Sequence, residues 1–267
     1  LLSSLGLSIN RPLDIISVSK GLSLNDCYWL KQEGSSDSFD SVNLYDNRFS
    51  RVLGQIAFTG YGSSNVSGLT SSPEFTTDGM LPKCWRRIDG EILLYKGGTM
   101  GASNTGNEPY SEFYAYQIGK ILGMNVVPYS LSKWKNTLCS TCKLFTSKDV
   151  SFIPVGRIVR SGGMQAVREY HKKLGAEFEK ALNDMLVFDA LIFNTYRHFG
   201  NFGFLIDSHS NRIIAPAPLF DHGNSLFNFA GGDALKRKEN FLKYAKAQMP
   251  CVYDDYVTEA KEVLTHE

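Results

Sequence analysis

The segment Ala176–Phe193, A-E-F-E-K-A-L-N-D-M-L-V-F-D-A-L-I-F, most constrains what this chain can fold into. Phe178, Leu182, Met185, Asp189 and Ile192 recur at helical spacing, and the last turns are broadly apolar. A helix that is apolar nearly all round belongs inside a core, so other elements must cover it. It leads straight into a polar stretch, Asn194–Phe204, read N-T-Y-R-H-F-G-N-F-G-F. Beyond it, Phe202–Ile206 and Arg212–Ala215 flank the turn-forming Asp207–Asn211 in a hairpin pattern. From Gly231 to Glu267 the pattern is again helical, and charged.

The first half has a different character. Cys84–Ile88 and Glu91–Lys96 read as two strands joined by Asp89-Gly90, a strong hairpin turn. Asn107-Glu108-Pro109 then opens a helix that runs to about Leu122 and stops at Gly123. An Asn cap, an early Pro and a terminal Gly are consistent start and stop signals. Asn125–Trp134 and Thr141–Phe145 read as strands around a polar turn. Residues 1–60 mix short apolar runs with polar turns, and the Gly- and Ser-rich Gly60–Pro73 reads as a flexible connection or loop. The class is α+β, with a first half rich in strands and a second half rich in helices.

Composition removes several functions. A chain of 267 residues can bury a large core as one bilobal unit or two small domains. The net charge of +1 leaves no electrostatic footprint for nucleic acid, so direct nucleic-acid binding is not expected. No apolar run reaches the length that spans a bilayer, and Leu1-Leu2 starts without a basic leader. The five cysteines are odd in number and scattered, which argues for a reducing, cytoplasmic setting. Cys139 and Cys142 have zinc spacing but no second ligand pair, so they read as core or turn cysteines.

Four side chains can carry chemistry. Lys96 at a strand end can reach phosphates, and Glu112 on the following helix can fix its ammonium. Asn201 offers a hard amide oxygen and Asp221 a carboxylate, both suited to magnesium. Each also has a plain structural reading: surface charges for Lys96 and Glu112, a turn residue for Asn201, a cap for Asp221. His198 reads as a residue that holds the loop backbone, and His222 reads either way, as structural or as chemical. Gly79, flanked by Thr76, Thr77 and Lys83, can cover phosphates with backbone N–H groups, although no P-loop is present.

Taken together, T-D-G-M-L-P-K at 77–83, Tyr95-Lys96-Gly97-Gly98, N-E-P-Y-S-E-F-Y-A at 107–115, the 194–204 loop and P-L-F-D-H-G at 218–223 are similar to the HipA-like kinases. That family includes the toxin kinases of toxin–antitoxin modules. The resemblance spans about 75–230 and implies a protein-kinase-like bilobal fold with a β-rich N-lobe and a mainly helical C-lobe. On it, residues 1–73 lead into the N-lobe, 74–146 form the N-lobe and 147–267 form the C-lobe. It implies an ATP- and magnesium-dependent Ser/Thr kinase acting on a protein, with an antitoxin-like partner. Lys96 would bind phosphate, Asn201 and Asp221 would hold the metal, and backbone near Lys143–Phe145 would meet adenine. Gly79 would sit in a mobile loop that is autophosphorylated in the family, with Thr76 and Thr77 as the hydroxyls here.

The departure is Tyr196, which stands where the family has the catalytic Asp of D-x-H-x-x-N. A phenol ionises near pH 10 and is neutral at pH 7, so it substitutes poorly for a carboxylate. The leading expectation is a kinase impaired by Tyr196. The alternatives are a nucleotide-binding pseudokinase acting as an interaction module, or a lipid or small-molecule kinase.

Overall fold

A computed structural model of the chain describes residues 1–62, 71–77, 79–101 and 104–264. The loop expected over 60–73 therefore falls largely, at 63–70, outside the described residues, as does Asp78 of the T-D-G-M-L-P-K motif. The chain forms two compact units. The first comprises Leu1–Gly97, Ser132–Ser151 and Asp207–Arg212; the second comprises Gly98–Leu131, Phe152–Ile206 and Ile213–Glu267.

The first unit is built on a four-stranded sheet of β1 (Lys83–Ile88), β2 (Glu91–Gly97), β3 (Tyr129–Trp134) and β4 (Thr137–Lys143), in the order β1-β2-β4-β3. Asp89 and Gly90 both have positive φ, 49° and 86°, the backbone that a two-residue turn between twisted strands requires. Lys135 and Asn136 do the same at 49° and 61°, so β4 begins at Thr137 rather than at Thr141 as expected. Without a glycine, that second turn carried little sequence signal.

Residues 1–60 are more regular than their turn-rich sequence suggests. They form α1 (Pro12–Ser19), α2 (Phe39–Val42) and α3 (Arg51–Thr59). The Ser38 and Ser50 hydroxyls accept the N–H groups of Ser41 and Leu53 and so satisfy donors at the starts of α2 and α3. Helix α3 buries Leu53 and Ile56 against Leu5 and Leu7, while Phe58 joins Cys84, Tyr95 and Cys139. Each such side chain contributes about 1.5–3 kcal/mol on burial, which is what holds these short helices. One nitrogen of Arg87, Nη2, donates to the carbonyls of Leu44, Tyr45 and Asn47 at 3.2, 2.8 and 3.2 Å, fastening the turn after α2 to β1.

In the second unit α4 (Glu108–Ile121) is followed by α5 (Val155–Ile158), α6 (Gly163–Leu174) and α7 (Ala176–Ile192), then by α8 (Gly232–Lys236), α9 (Lys238–Lys246) and α10 (Tyr256–Val263). A three-stranded sheet orders β5 (Val150–Pro154), β6 (Gly203–Asp207) and β7 (Ile213–Pro216). As expected, α7 is the core element: Leu182, Met185, Leu186, Phe188 and Ile192 are all buried, with Val155, Val167, Phe202, Phe204 and Leu219 around them. Helix α4 starts and stops where its Pro109 and Gly123 indicate, but Asn107 does not cap it; its amide donates to Asn228 O at 3.0 Å instead. Two corrections concern helices. Helix α6 had no sequence expectation, and the helical pattern from Gly231 onward is three short helices rather than one run. Among the described residues, no helix is long and apolar enough to cross a membrane.

Candidate functional site

Helix α7 ends at Phe193, whose left-handed φ of 51° turns the chain into the 194–201 loop. The loop is organised by a residue that the sequence reading passed over. Arg197 is fully buried, and each of its five N–H bonds has a partner. Nε and Nη2 donate to the two oxygens of Asp189 on α7, at 2.8 and 3.1 Å. Nη1 donates to the carbonyls of Asn201 and Phe220, at 2.8 and 2.6 Å. The remaining Nη2 hydrogen points to His222 Nδ1 at 3.1 Å. A guanidinium has no acceptor, so Nδ1 accepts, and the neutral His222 ring carries its proton on Nε2.

Asp189 is as buried as its partner and also accepts from Asn194 Nδ2 at 3.0 Å. Burial by itself would make the guanidinium easier to deprotonate; the Asp189 charge and its hydrogen bonds more than offset this, with Asp221 and Glu112 adding to the effect. One cation therefore faces three carboxylates. Sequence held a trace of this: an acid on the buried stripe of α7 needs a partner, and Arg197 is the cation of the loop that follows.

The loop places Asn201 tightly. Its N–H donates to His198 O at 2.8 Å, its Nδ2 to Tyr196 O at 3.3 Å, and its carbonyl is held by Arg197. That leaves the amide Oδ1 as the group available for a ligand. His198 has the structural role expected of it, with Nδ1 accepting Gly200 N–H at 3.0 Å. Tyr196 is half-exposed, and its ring meets that of His198 edge-on with centroids 5.0 Å apart.

Asp221 sits in the left-handed region, φ 59°, with its N–H donating to Tyr129 Oη at 3.3 Å. The next N–H, of His222, donates to Glu112 Oε2 at 2.7 Å, and Glu112 is fully buried on α4. Three more ties run from the start of α4 to the same segment: Ser111 Oγ to Ser225 O, Asn107 Nδ2 to Asn228 O and Asn104 Nδ2 to Phe229 O, at 2.9, 3.0 and 3.0 Å. The second unit thus brings together Glu112, Tyr196, Asn201 and Asp221 around one hydrogen-bonded network.

The first unit carries the other candidates. Lys96 is buried on β2, opposite Lys83 and Ser140. Gly79 has φ 104°, a conformation that side-chain-bearing residues rarely adopt. Thr76 Oγ1 donates to Leu22 O at 2.9 Å. Thr77 Oγ1 donates to Pro73 O at 2.7 Å and accepts from Trp85 Nε1 at 3.0 Å. Both hydroxyls are therefore engaged within this unit. Lys143 ends β4 and pairs at the surface with Glu91, the next N–H, of Leu144, donates to Ile92 O at 2.9 Å, and Phe145 is half-buried.

A magnesium ion fits the donor chemistry of the second unit. Among the described residues, no cluster of three or more His, Cys, Asp or Glu side chains forms a complete protein cage. Magnesium seldom needs one: one or two protein oxygens plus substrate phosphates and water are its usual shell. Asn201 Oδ1 and the Asp221 carboxylate are hard oxygens of that kind.

No family model matches the chain. Over 135 residues it is 31% identical to the serine/threonine-protein kinase CtkA of Helicobacter pylori, a stretch covering 45% of this chain and 41% of that protein. The chain thus matches less than half the length of this curated relative. The crystal structure of a proinflammatory H. pylori kinase CtkA superposes with a TM-score of 0.54 at 24% identity, covering 61% of this chain and 63% of that one. HipA of Shewanella oneidensis, solved with HipB and its operator DNA, gives a TM-score of 0.46 at 12% identity over 98% of this chain and 78% of that one. In sequence, over 135 residues, and in fold this chain resembles the kinase CtkA, and the mixed α and β fold expected from the sequence is the one observed.

Proposed function

We propose that this chain is an ATP- and magnesium-dependent Ser/Thr protein kinase of the HipA-like kind whose transfer step is severely weakened by Tyr196. The observation that carries this reading is the buried Arg197. Its one Nη1 holds the carbonyl of Asn201 and the carbonyl that precedes Asp221, the two residues assigned to the metal. A structural role alone does not ask for the backbone beside two hard-oxygen side chains to be tied to one nitrogen, in a chain related to a kinase.

In this reading Asn201 Oδ1 and Asp221 would hold magnesium, which supplies charge neutralisation to the nucleotide phosphates. Lys96 would bind phosphate oxygens, Gly79 would offer backbone N–H groups to them, and backbone near Lys143–Phe145 would meet the adenine. Glu112 keeps the segment after Asp221 on α4 through His222 N–H. The acceptor hydroxyl belongs to a protein, and an antitoxin-like protein is the partner class. At position 196 the phenol offers no carboxylate to orient that hydroxyl or take its proton.

Tyr196→Asp tests the reading directly. ATP-dependent phosphorylation of the chain or of a protein acceptor is expected to rise by orders of magnitude. If ATP binds and phosphorylation stays flat, the chain is a nucleotide-binding interaction module instead. The exposed Tyr196 is the observation that favours that second reading.

A further inference from the structure

We infer that Arg197 is a positioning residue for the metal-facing pair, setting Asn201 and Asp221 in fixed register with one another. This rests on the reading of those two residues given under Proposed function. It adds a role that neither the loop motif nor the D-x-G segment contains, because Arg197 touches neither side chain.

The geometry carries it in three steps. The two hydrogens of Nη1 diverge, one to Asn201 O and one to Phe220 O. These carbonyls belong to separate parts of the chain, the end of the 194–201 loop and the turn that follows β7. A single planar nitrogen thus fixes both backbones. Next, Asp221 adopts φ 59°, which costs a non-glycine residue on the order of 1–2 kcal/mol. The bonds on either side of it, Phe220 O to Arg197 and His222 N–H to Glu112, hold it there and so set where its carboxylate leaves the chain. Finally, Asp189 grips the opposite edge of the guanidinium through both oxygens, so the plane of Arg197 is fixed by α7. Lysine cannot replace it: an ammonium has three donors on one atom and no fork.

The test uses the full chain, Arg197→Lys, and the double variant Asp189→Leu/Arg197→Met, which removes both buried charges together. ATP affinity is measured by calorimetry with and without magnesium, after circular dichroism has shown each variant folded. Both variants are expected to bind magnesium-free ATP within about twofold of the parent. The gain in affinity that magnesium gives the parent is expected to fall at least about tenfold, the scale on which groups behind a metal ligand act. If the parent gains affinity from magnesium and both folded variants keep the whole gain, the positioning role is overturned while the functional reading stands. If the parent gains nothing from magnesium, the functional reading fails, and the positioning role fails with it. Hydrogen exchange gives a readout that needs no ligand: in Arg197→Lys the amides of Asn201 and His222 are expected to exchange faster while those of α7 keep their protection. Unchanged exchange at both amides also overturns the role.

Discussion

Glu112 on α4 accepts the backbone N–H of His222, the residue directly after Asp221, at 2.7 Å. Both residues are fully buried, so this N–H has no water to turn to. Glu112→Ala is therefore expected to destabilise the chain by about 1–3 kcal/mol, the cost of an unsatisfied buried donor. Glu112→Gln keeps an acceptor and is expected to recover most of the loss. Urea unfolding of the two variants checks this, and equal losses would mean that packing of the side chain matters and its acceptor does not.

The Asp189–Arg197 pair lends itself to a double-mutant cycle. Arg197→Met alone leaves a buried carboxylate, and Asp189→Leu alone leaves a buried guanidinium, each expected to cost about 3–5 kcal/mol. The two together remove both charges and are expected to cost far less than the sum. Additive losses in equilibrium unfolding would show that the pair is not coupled.

His171 sets a pH dependence. It is buried on α6 between Val167 and the ring of Phe204, whose centroid is 4.9 Å away, and its Nδ1–H donates to Val167 O at 2.8 Å. Burial lowers its pKa below the ordinary 6.5, the hydrogen bond to Val167 opposing only in part. The unfolded chain thus takes up the proton first. This group's contribution is fully present above about pH 6.5 and is lost as pH falls through the lower, folded value. His171→Leu is expected to flatten the fall in urea midpoint between pH 7 and 5. Glu74 acts in the opposite sense, because burial raises its pKa above 4.5, so the comparison is between variant and parent. Superimposable pH profiles would contradict the assignment.

Asp221 and Asp207 separate metal binding from turn chemistry. Asp207 Oδ1 accepts both the N–H and the hydroxyl of Ser210 at 2.7 Å, which places it in a surface turn and lowers its pKa. Asp221→Ala is expected to abolish the magnesium-dependent part of ATP binding, and Asp207→Ala to leave it unchanged. Calorimetry with equal effects from both would remove Asp221 from the metal site.

What could be read in the sequence followed from local physics. Pro109 and Gly123 bracketed α4, the apolar run marked α7 as the core helix, and Asp89-Gly90 fixed the β1–β2 turn. Helix α6 escaped because one of its three buried anchors, after Met164 and Val167, is His171, which breaks the apolar stripe. Helices α1, α2 and α3 are too short for periodicity to register and stand on contacts made elsewhere in the chain. The candidate site divided in the same way. Asn201 and Asp221 were visible as motif letters, whereas Asp189 and Arg197 were not, since a buried ion pair is a relationship between a helix face and a loop that no single stretch spells out.

The thiols of the first sheet give this chain an internal clock. Cys84 on β1 and Cys139 on β4 are wholly buried beside Phe58 and Tyr95, and burial holds both thiols above their ordinary pKa. Cys251 lies exposed in the second unit. An alkylating reagent at neutral pH therefore marks Cys251 at once and reaches Cys84 and Cys139 only when the strands part, and peptide mapping separates these sites from the part-buried Cys27 and from Cys142. The delay between the two labelling events measures how often that sheet opens, with no probe added to the protein.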